Sequence, residues 1–262
     1  MAEHLNLYQR AKYYDIIFDR DVGPEVDFIQ QAYRHYSGRP GPKSVLDLAS
    51  GPGYHALEFA RRGITAAALD LRPEMLALGA EKAAAEGLQL NWVAADMRTF
   101  RLPQPVDAAF IVFDGLDALL TNEDLVKHFQ AVAENLTDGG IYLVDLTHPR
   151  DCSFSEYGHF EYRGSRNGVE VEIHWATNSP KHDLVTGVAQ VELEMLIREN
   201  GSEKRITDSA SERLLFPQEI QLLCKLSGSL KPVGWHGDYD LRQPLDYSPA
   251  SRRMLVVLQR QG

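Results

Sequence analysis

Residues Val45-Leu-Asp-Leu-Ala-Ser-Gly-Pro-Gly53 put an apolar run, a carboxylate and a glycine turn into one short segment. Val45, Leu46 and Leu48 read as a buried strand, Gly51 and Gly53 let the backbone turn sharply, and His55 to Arg62 has helical spacing. A strand that passes through a glycine turn into a helix exposes backbone N–H groups and lets a ligand approach the main chain. Asp47 places a negative charge near the strand's end, where a pyrophosphate would be repelled and an ammonium group held. Asp70 closes the next apolar run, in position to accept both hydroxyls of a ribose. Asp96, in Ala94-Ala-Asp-Met97, is placed to accept from an exocyclic amine of adenine, and Met75, one turn beyond Asp70, to pack on a purine face. Open α/β sheets bind ligands outside the carboxyl ends of their strands, so these residues are expected to converge on one crevice.

The elements that must position them alternate. Strands are predicted at 44–49, 65–70, 89–94, 107–113 and 139–146, with helices at about 53–62, 73–86 and 123–136, the last closing at Asp138-Gly139-Gly140. Two helices precede them, His4 to Phe18 (rich in aromatics) and Glu25 to Tyr36. After Pro149 the period changes to two: Val169, Val171, Ile173 and Trp175 alternate with Glu170, Glu172, His174 and Ala176, and Val191 to Ile197 repeats the pattern. Turn signals at Arg166-Asn167-Gly168, Ser179 to Asp183 and Glu199-Asn200-Gly201 make this an antiparallel meander of three or four strands. A helix at 217–227 and strands at 230–238 and 253–259 complete the chain. The fold class is therefore α/β: a Rossmann-like, seven-stranded, mostly parallel sheet with helices on both faces, plus the inserted antiparallel β meander. The domain plan is a helical lid (1–36), a main domain (37–149 and 215–262) and a β cap (150–214).

Composition narrows the partners. With 262 residues, 44% hydrophobic, the chain has ample material for a core. A net charge of −10 argues against a nucleic-acid groove. No apolar run approaches the roughly 18 residues that a membrane helix needs, and the first residues lack a signal peptide's layout. Cys152 and Cys224 have no metal-ligand spacing and read as reduced thiols in a cytoplasmic protein; no metal is expected.

Alone, Gly51-Pro-Gly53-Tyr-His-Ala56 also fits the G-x-G-x-x-A dinucleotide fingerprint, with Asp70 near the spacing of an NAD ribose partner. Asp47, Asp96 and the terminal helix and strands favour S-adenosylmethionine instead. In order over residues 44–146 the chain resembles the class I S-adenosylmethionine-dependent methyltransferases. Val45 to Gly53 looks like their first motif, Leu69-Asp-Leu-Arg-Pro-Glu-Met-Leu76 their second, Ala95-Asp-Met97 their third, and Asp107 to Gly115 their fourth. Ala49 replaces the usual first glycine of the loop and Pro52 the usual Thr or Ser. Tyr13 to Phe18 resembles the aromatic N-terminal helix of small-molecule N-methyltransferases acting on glycine and amino sugars.

The resemblance implies that Gly51 and Gly53, with Ala49, neighbour the donor's methionine moiety, that Asp47 lies near its ammonium, and that Tyr14 closes over it. Asp70 would take the ribose, with Leu71 and Met75 beside it; Asp96 and Met97 would take the adenine; Phe113 and Asp114 would floor the site near the sulfonium. Methyl transfer from a sulfonium is an in-line displacement that needs alignment above all, and a base only for a protonated acceptor. The candidate base is His148, just after the fifth strand. The expected acceptor is N or O of a small molecule, with the meander as a candidate homodimer surface. The alternatives are a fold member that binds the donor without methylating and, behind it, an NAD-binding oxidoreductase.

Overall fold

The computed structural model describes residues 10–152 and 159–261. Residues 4–9 of the expected N-terminal helix lie outside the described residues. Helices α1 (Ala11–Phe18) and α2 (Gly23–Ser37) precede β1 (Ser44–Leu48), α3 (Tyr54–Arg61), β2 (Thr65–Asp70), α4 (Pro73–Glu86), β3 (Asn91–Ala94), β4 (Val106–Ile111), α5 (Asn122–Glu134) and β5 (Leu136–Thr147). The meander is β6 (Phe160–Arg166), β7 (Val169–Trp175), β8 (Val188–Glu199) and β9 (Ser202–Arg213), after which α6 (Pro217–Ser227), β10 (Leu230–His236) and β11 (Arg253–Arg260) return to the main sheet.

The main sheet has seven strands in the order β10-β11-β5-β4-β1-β2-β3. β1 pairs in parallel with both β2 and β4, while β11 runs antiparallel between β5 and β10. The chain leaves β1 toward β2 on one side and later returns to β4 on the other. This order reversal opens a crevice at the carboxyl ends of β1 and β4.

Alternation along the strands builds two cores. Leu46, Leu48, Ile111, Tyr142, Val144 and Leu146 face α5 and α6, whereas Val45, Phe110, Leu143 and Val257 face α2 and α3. Phe59 of α3 and Phe110 of β4 lie with ring centroids 5.5 Å apart, both fully buried; burial of such a side chain stabilises by roughly 1.5–3 kcal/mol.

The meander is a separate four-stranded sheet, β6-β7-β8-β9. Its inner face (Val169, Val171, Ile173, Leu193, Met195 and Ile197) packs against Tyr13, Ile16, Ile17 and Phe18 of α1. The described residues of the expected 1–36 lid thus divide between two cores. α1 belongs to the meander's core, and α2 belongs to the main sheet's. Gly164 permits this, because a Cβ there would strike the Ile16 carbonyl of α1.

The expected close of α5 at 138–140 is also corrected. The helix ends at Glu134, and Leu136 is already a strand residue paired with Val106. Asn135 turns the chain: its amide donates to Ala131 O (2.8 Å) and accepts from Leu102 N–H (2.7 Å). Cys152 and Cys224 are buried and form no disulfide.

Fully buried His128 of α5 ties the post-β3 loop to the sheet. Its Nδ1 contacts Met97 O at 2.8 Å and its Nε2 contacts the Tyr142 hydroxyl at 2.7 Å, a set that the neutral ring satisfies with Nδ1–H donating and Nε2 accepting. Burial lowers its pKa to about 4, and burial does the same to His55. The unfolded chain binds more protons between pH 6.5 and about 4, so stability is full above 6.5 and falls as the pH drops through that window. The slope is about 1.4 kcal/mol per pH unit for each histidine. In urea unfolding followed from pH 7 to 5, His128→Asn is expected to differ from the wild type by one histidine's share of this slope; an unchanged slope in the variant would refute the assignment.

Candidate active site

The loop after β1 turns on residues in the left-handed region: Ala49 at φ +51°, Gly51 at +54° and Gly53 at +73°. At Gly53 a Cβ would sit 3.0 Å from the Trp92 ring and 3.3 Å from Ala68 Cβ. Ala49 takes the conformation of the glycine it replaces, at a cost of about 1–2 kcal/mol. The loop is tied back to β2: Ser50 N–H donates to Leu69 O (3.0 Å) and Gly51 N–H to Asp70 Oδ2 (2.8 Å). Asp70 Oδ1 accepts from Arg72 N–H (2.8 Å).

Asp47 does not open at the strand tip. It is 1% exposed beneath the loop and accepts the Ala56 N–H at 3.2 Å, in the first turn of α3. Burial, with Asp70 repelling it, pushes its acid group well above the usual range against the pull of that N–H. Burial also raises Asp70, partly offset by the Arg72 and Gly51 N–H groups.

After β3, Asp96 holds Arg98 in a two-pronged pair (2.9 and 2.6 Å), and Arg98 reaches on to Asp124 at 3.0 Å. Met97 is part-buried against the α5-side core. Met75 is buried in the packing of α4, whereas Leu71 is 63% exposed, so Leu71 is the open apolar side chain beside Asp70.

Four aromatic rings from three parts of the chain roof the crevice. Phe18 of α1 lies 4.3 Å from Tyr14, 5.1 Å from Tyr162 of β6 and 6.0 Å from Phe113 after β4. Tyr14 passes over the glycine loop, 3.9 Å from where a Gly51 Cβ would stand. The Arg20 guanidinium lies 5.5 Å from the centre of the Phe113 ring. Buried Asp15 pins α1 down by accepting from Tyr54 OH at 2.7 Å and pairing with Lys82 at 2.9 Å and with Arg166. Burial opposes the charge of Asp15, but the hydrogen bonds from Lys82, Tyr54 and Arg166 win and hold its pKa below the usual value.

Phe113 and Asp114 are consecutive non-glycine residues at φ +57° and +61°. Such conformations cost about 1–3 kcal/mol each and persist where neighbours fix them. Here Asp145 of β5 fixes them: its Oδ2 accepts the Phe113 N–H (2.9 Å) and the Tyr239 hydroxyl (2.9 Å), and its Oδ1 pairs with Arg253 (2.7 Å). Asp114 binds Thr147 and Arg253 (3.1 Å). Asp117, in the short 3-10 turn Gly115–Ala118, faces Asp114 and Glu212 of β9. Burial and those two carboxylates raise its pKa well above normal. Burial raises Asp114 also, against the attraction of Arg253.

Asp145, Asp117, Arg253, Tyr239 and Tyr162 were not among the residues read from sequence. Asp145 carried a signal, a charge inside the apolar run Ile141–Leu146; the others reach the crevice only through chain folding.

His148 is placed differently from expectation. It is 4% exposed, its Nε2 lies 2.9 Å from Asp246 O, and its Nδ1 accepts from Arg150 N–H at 3.2 Å. With both nitrogens spent in a turn, no lone pair is left to take an acceptor's proton. Other side chains are likewise structural. Arg213 fastens β9 to the main domain through Leu120 O (3.2 Å), Asn122 (2.7 Å) and Glu219. Trp175 Nε1 donates to Glu212 (2.9 Å), and His236 bonds the Tyr36 hydroxyl (2.7 Å).

Residues 45–140 match the family model described as a methyltransferase domain. Among curated proteins, the dTDP-3-amino-3,4,6-trideoxy-alpha-D-glucopyranose N,N-dimethyltransferase of Streptomyces venezuelae is 30% identical over 138 residues, 52% of this chain and 56% of that protein. The chain spans about half the length of the curated relatives it matches. Solved structures match over nearly the whole chain. An S-adenosylmethionine-dependent methyltransferase from Clostridium acetobutylicum superposes with a TM-score of 0.79 at 20% identity, covering 98% of this chain and 100% of that one. An amino pentose methyltransferase from Micromonospora echinaspora, with S-adenosylmethionine bound, gives 0.71 at 20% identity, covering 100% and 99%. Residues 45–140 thus match a methyltransferase domain, and the chain has the fold of S-adenosylmethionine-dependent methyltransferases.

Proposed function

We propose that the chain transfers a methyl group from S-adenosylmethionine to the amine nitrogen of a small molecule. The observation that carries this reading is an imbalance of charge. Asp47, Asp70, Asp114, Asp117 and Asp145 gather at the carboxyl ends of the strands and in the turn after β4, and Arg253 is the cation bonded among them. Burial raises the acid groups of Asp47, Asp114 and Asp117, and a neighbouring carboxylate adds to the rise at each. A ligand with an ammonium and a sulfonium lowers the imbalance, and a dinucleotide's pyrophosphate would worsen it.

The residues present suit that donor. Asp70 is the ribose partner, Asp47 supplies negative potential beneath the methionine end, Leu71 and Met97 flank the base, and Asp96 is its amine partner once Arg98 yields. Tyr14, Phe18, Phe113 and Tyr162 would exclude water, and their ring faces favour a positive centre. S-adenosylmethionine supplies the activated methyl group, so the protein's work is alignment, desolvation and management of the acceptor's proton.

A basic acceptor is drawn to the acidic groups between β9 and the turn after β4, where Asp114 and Glu212 both act on Asp117. Asp117 takes the role once expected of His148: a carboxylate with a raised pKa is better matched to removing a proton from an ammonium. The sugar and glycine N-methyltransferases among the similar proteins support a nitrogen acceptor.

Isothermal titration with S-adenosylhomocysteine is expected to show one site per chain, and Asp70→Ala to weaken it by at least about tenfold, the worth of a charged hydrogen bond. Uptake of NADH in place of the nucleoside would reverse the assignment. With methyl-labelled donor and a panel of amino sugars and small amines, label is expected in an amine product. Asp117→Asn is expected to lower kcat by about a hundredfold, in the range of a lost general base, and to leave donor affinity within about twofold. An equal fall in donor binding would assign Asp117 to the donor site instead.

A further inference from the structure

The outer face of the meander carries a group that methyl transfer does not use. β6 and β7 pair antiparallel with Glu161 directly opposite His174, and His159 lies two residues before Glu161, on the same side of the strand. The opposite side of β6 faces α1, since Phe160, Tyr162, Gly164 and Arg166 are part-buried while Glu161, Arg163 and Ser165 are exposed. The backbone register therefore brings His159, Glu161 and His174 together on the solvent side.

We propose that these three side chains bind a divalent transition-metal ion of the zinc class. Their ligand atoms all lie within 4.8 Å of one another. Glu161 Oε1 is 3.5 Å from His159 Nε2 and 3.4 Å from His174 Nδ1. Tetrahedral zinc with bonds of about 2.0–2.1 Å sets its ligand atoms about 3.3–3.4 Å apart. Two edges of the coordination triangle thus have nearly the required length before any ion arrives.

A second feature points the same way. With Nδ1 of His174 on the ion, its Nε2–H faces Glu172 Oε2 at 3.5 Å, and Arg198 holds that carboxylate at 2.8 Å through its other oxygen. Histidine ligands characteristically give their second N–H to a carboxylate, which orients the ring and raises its basicity. Arg163, 3.5 Å from Glu161 Oε2, is the competing cation and leaves Oε1 to the ion.

Three protein ligands leave the fourth position to water or to a group from outside. The site is separate from the crevice, but it clasps the start of β6 to β7 directly behind Tyr162, so it would stiffen the strand that carries one wall of the aromatic roof. Sequence spacing conceals it, because one ligand comes from the neighbouring strand.

The test is titration of the untagged, chelator-treated full chain with cobalt(II) at neutral pH, followed by displacement with zinc(II). The expected result is one ion per chain with the visible ligand-field bands of a tetrahedral site. His174→Ala is expected to lose at least tenfold in affinity, and Glu172→Gln to lose about tenfold, as second-layer changes do. Circular dichroism of each variant establishes that it is folded. Absence of the bands in the wild type would overturn the proposal, and so would wild-type affinity in a folded His159→Ala/His174→Ala chain.

Discussion

Negative charge held out of water at the carboxyl edge of the sheet is the constraint around which the molecule is arranged. Isolated carboxylates in such a place are costly unless paired, neutralised or met by a ligand. The fold answers each in its own way. Asp145 is paired with Arg253 and receives Tyr239 and the Phe113 N–H. Asp70 is spent on backbone N–H groups of the glycine loop and of Arg72. Asp47, with one N–H from α3 and Asp70 as a neighbour, is the least compensated. A binding site that stores uncompensated charge gains affinity for a cation without any change of shape, because the cost is already present in the empty protein.

The roof follows from the same constraint. Charge strengthens as water leaves, so a cover over the crevice makes the stored potential more effective. α1 supplies the cover, yet it is anchored to the meander rather than to the sheet it shields. Asp15 reconciles the two attachments by binding Tyr54 of α3, Lys82 of α4 and Arg166 of β6 at once. A break in any of these contacts would remove one of the ties that hold α1 over the glycine loop.

The sequence made the sheet legible because its signals are local. β1 and the glycine loop, α4 with Pro73 at its start and Gly87 past its end, and the alternation of β7 each depend on neighbours in the chain. The end of α5 misled because Leu136-Thr-Asp-Gly-Gly140 has a helix-stop composition, while the pairing of Leu136 with Val106 recruits it into the strand. Asp47 and Asp70 were visible as carboxylates at strand ends, but whether a carboxylate faces the solvent or the underside of a loop depends on α3, whose Ala56 N–H takes Asp47 inward. His148 misled for a similar reason: position after β5 suggested a catalytic base, and the return of the chain at Asp246 converted it into a turn anchor. Arg253 and Tyr239 were invisible because each joins Asp145 across about a hundred residues or more, a distance over which no periodic pattern operates.

The two faces of the meander divide its tasks. Its apolar face is covered by α1, while the outward positions of β7 and β8 carry Glu170, Glu172, His174, Glu192 and Glu194, with Glu172 paired to Arg198 and Glu194 to Arg205. Stable obligate interfaces are rich in apolar surface, and among the described residues of this subdomain the large apolar side chains left exposed are Leu184 and Val185, in the loop between β7 and β8. A homodimer through the meander would therefore rest on that loop or on charge pairing between outer faces. Its inner face, by contrast, is committed to the roof. The insertion thus meets the crevice through Tyr162 of β6 and Glu212 of β9, and a change that stiffens or frees those strands reaches these side chains without touching the glycine loop.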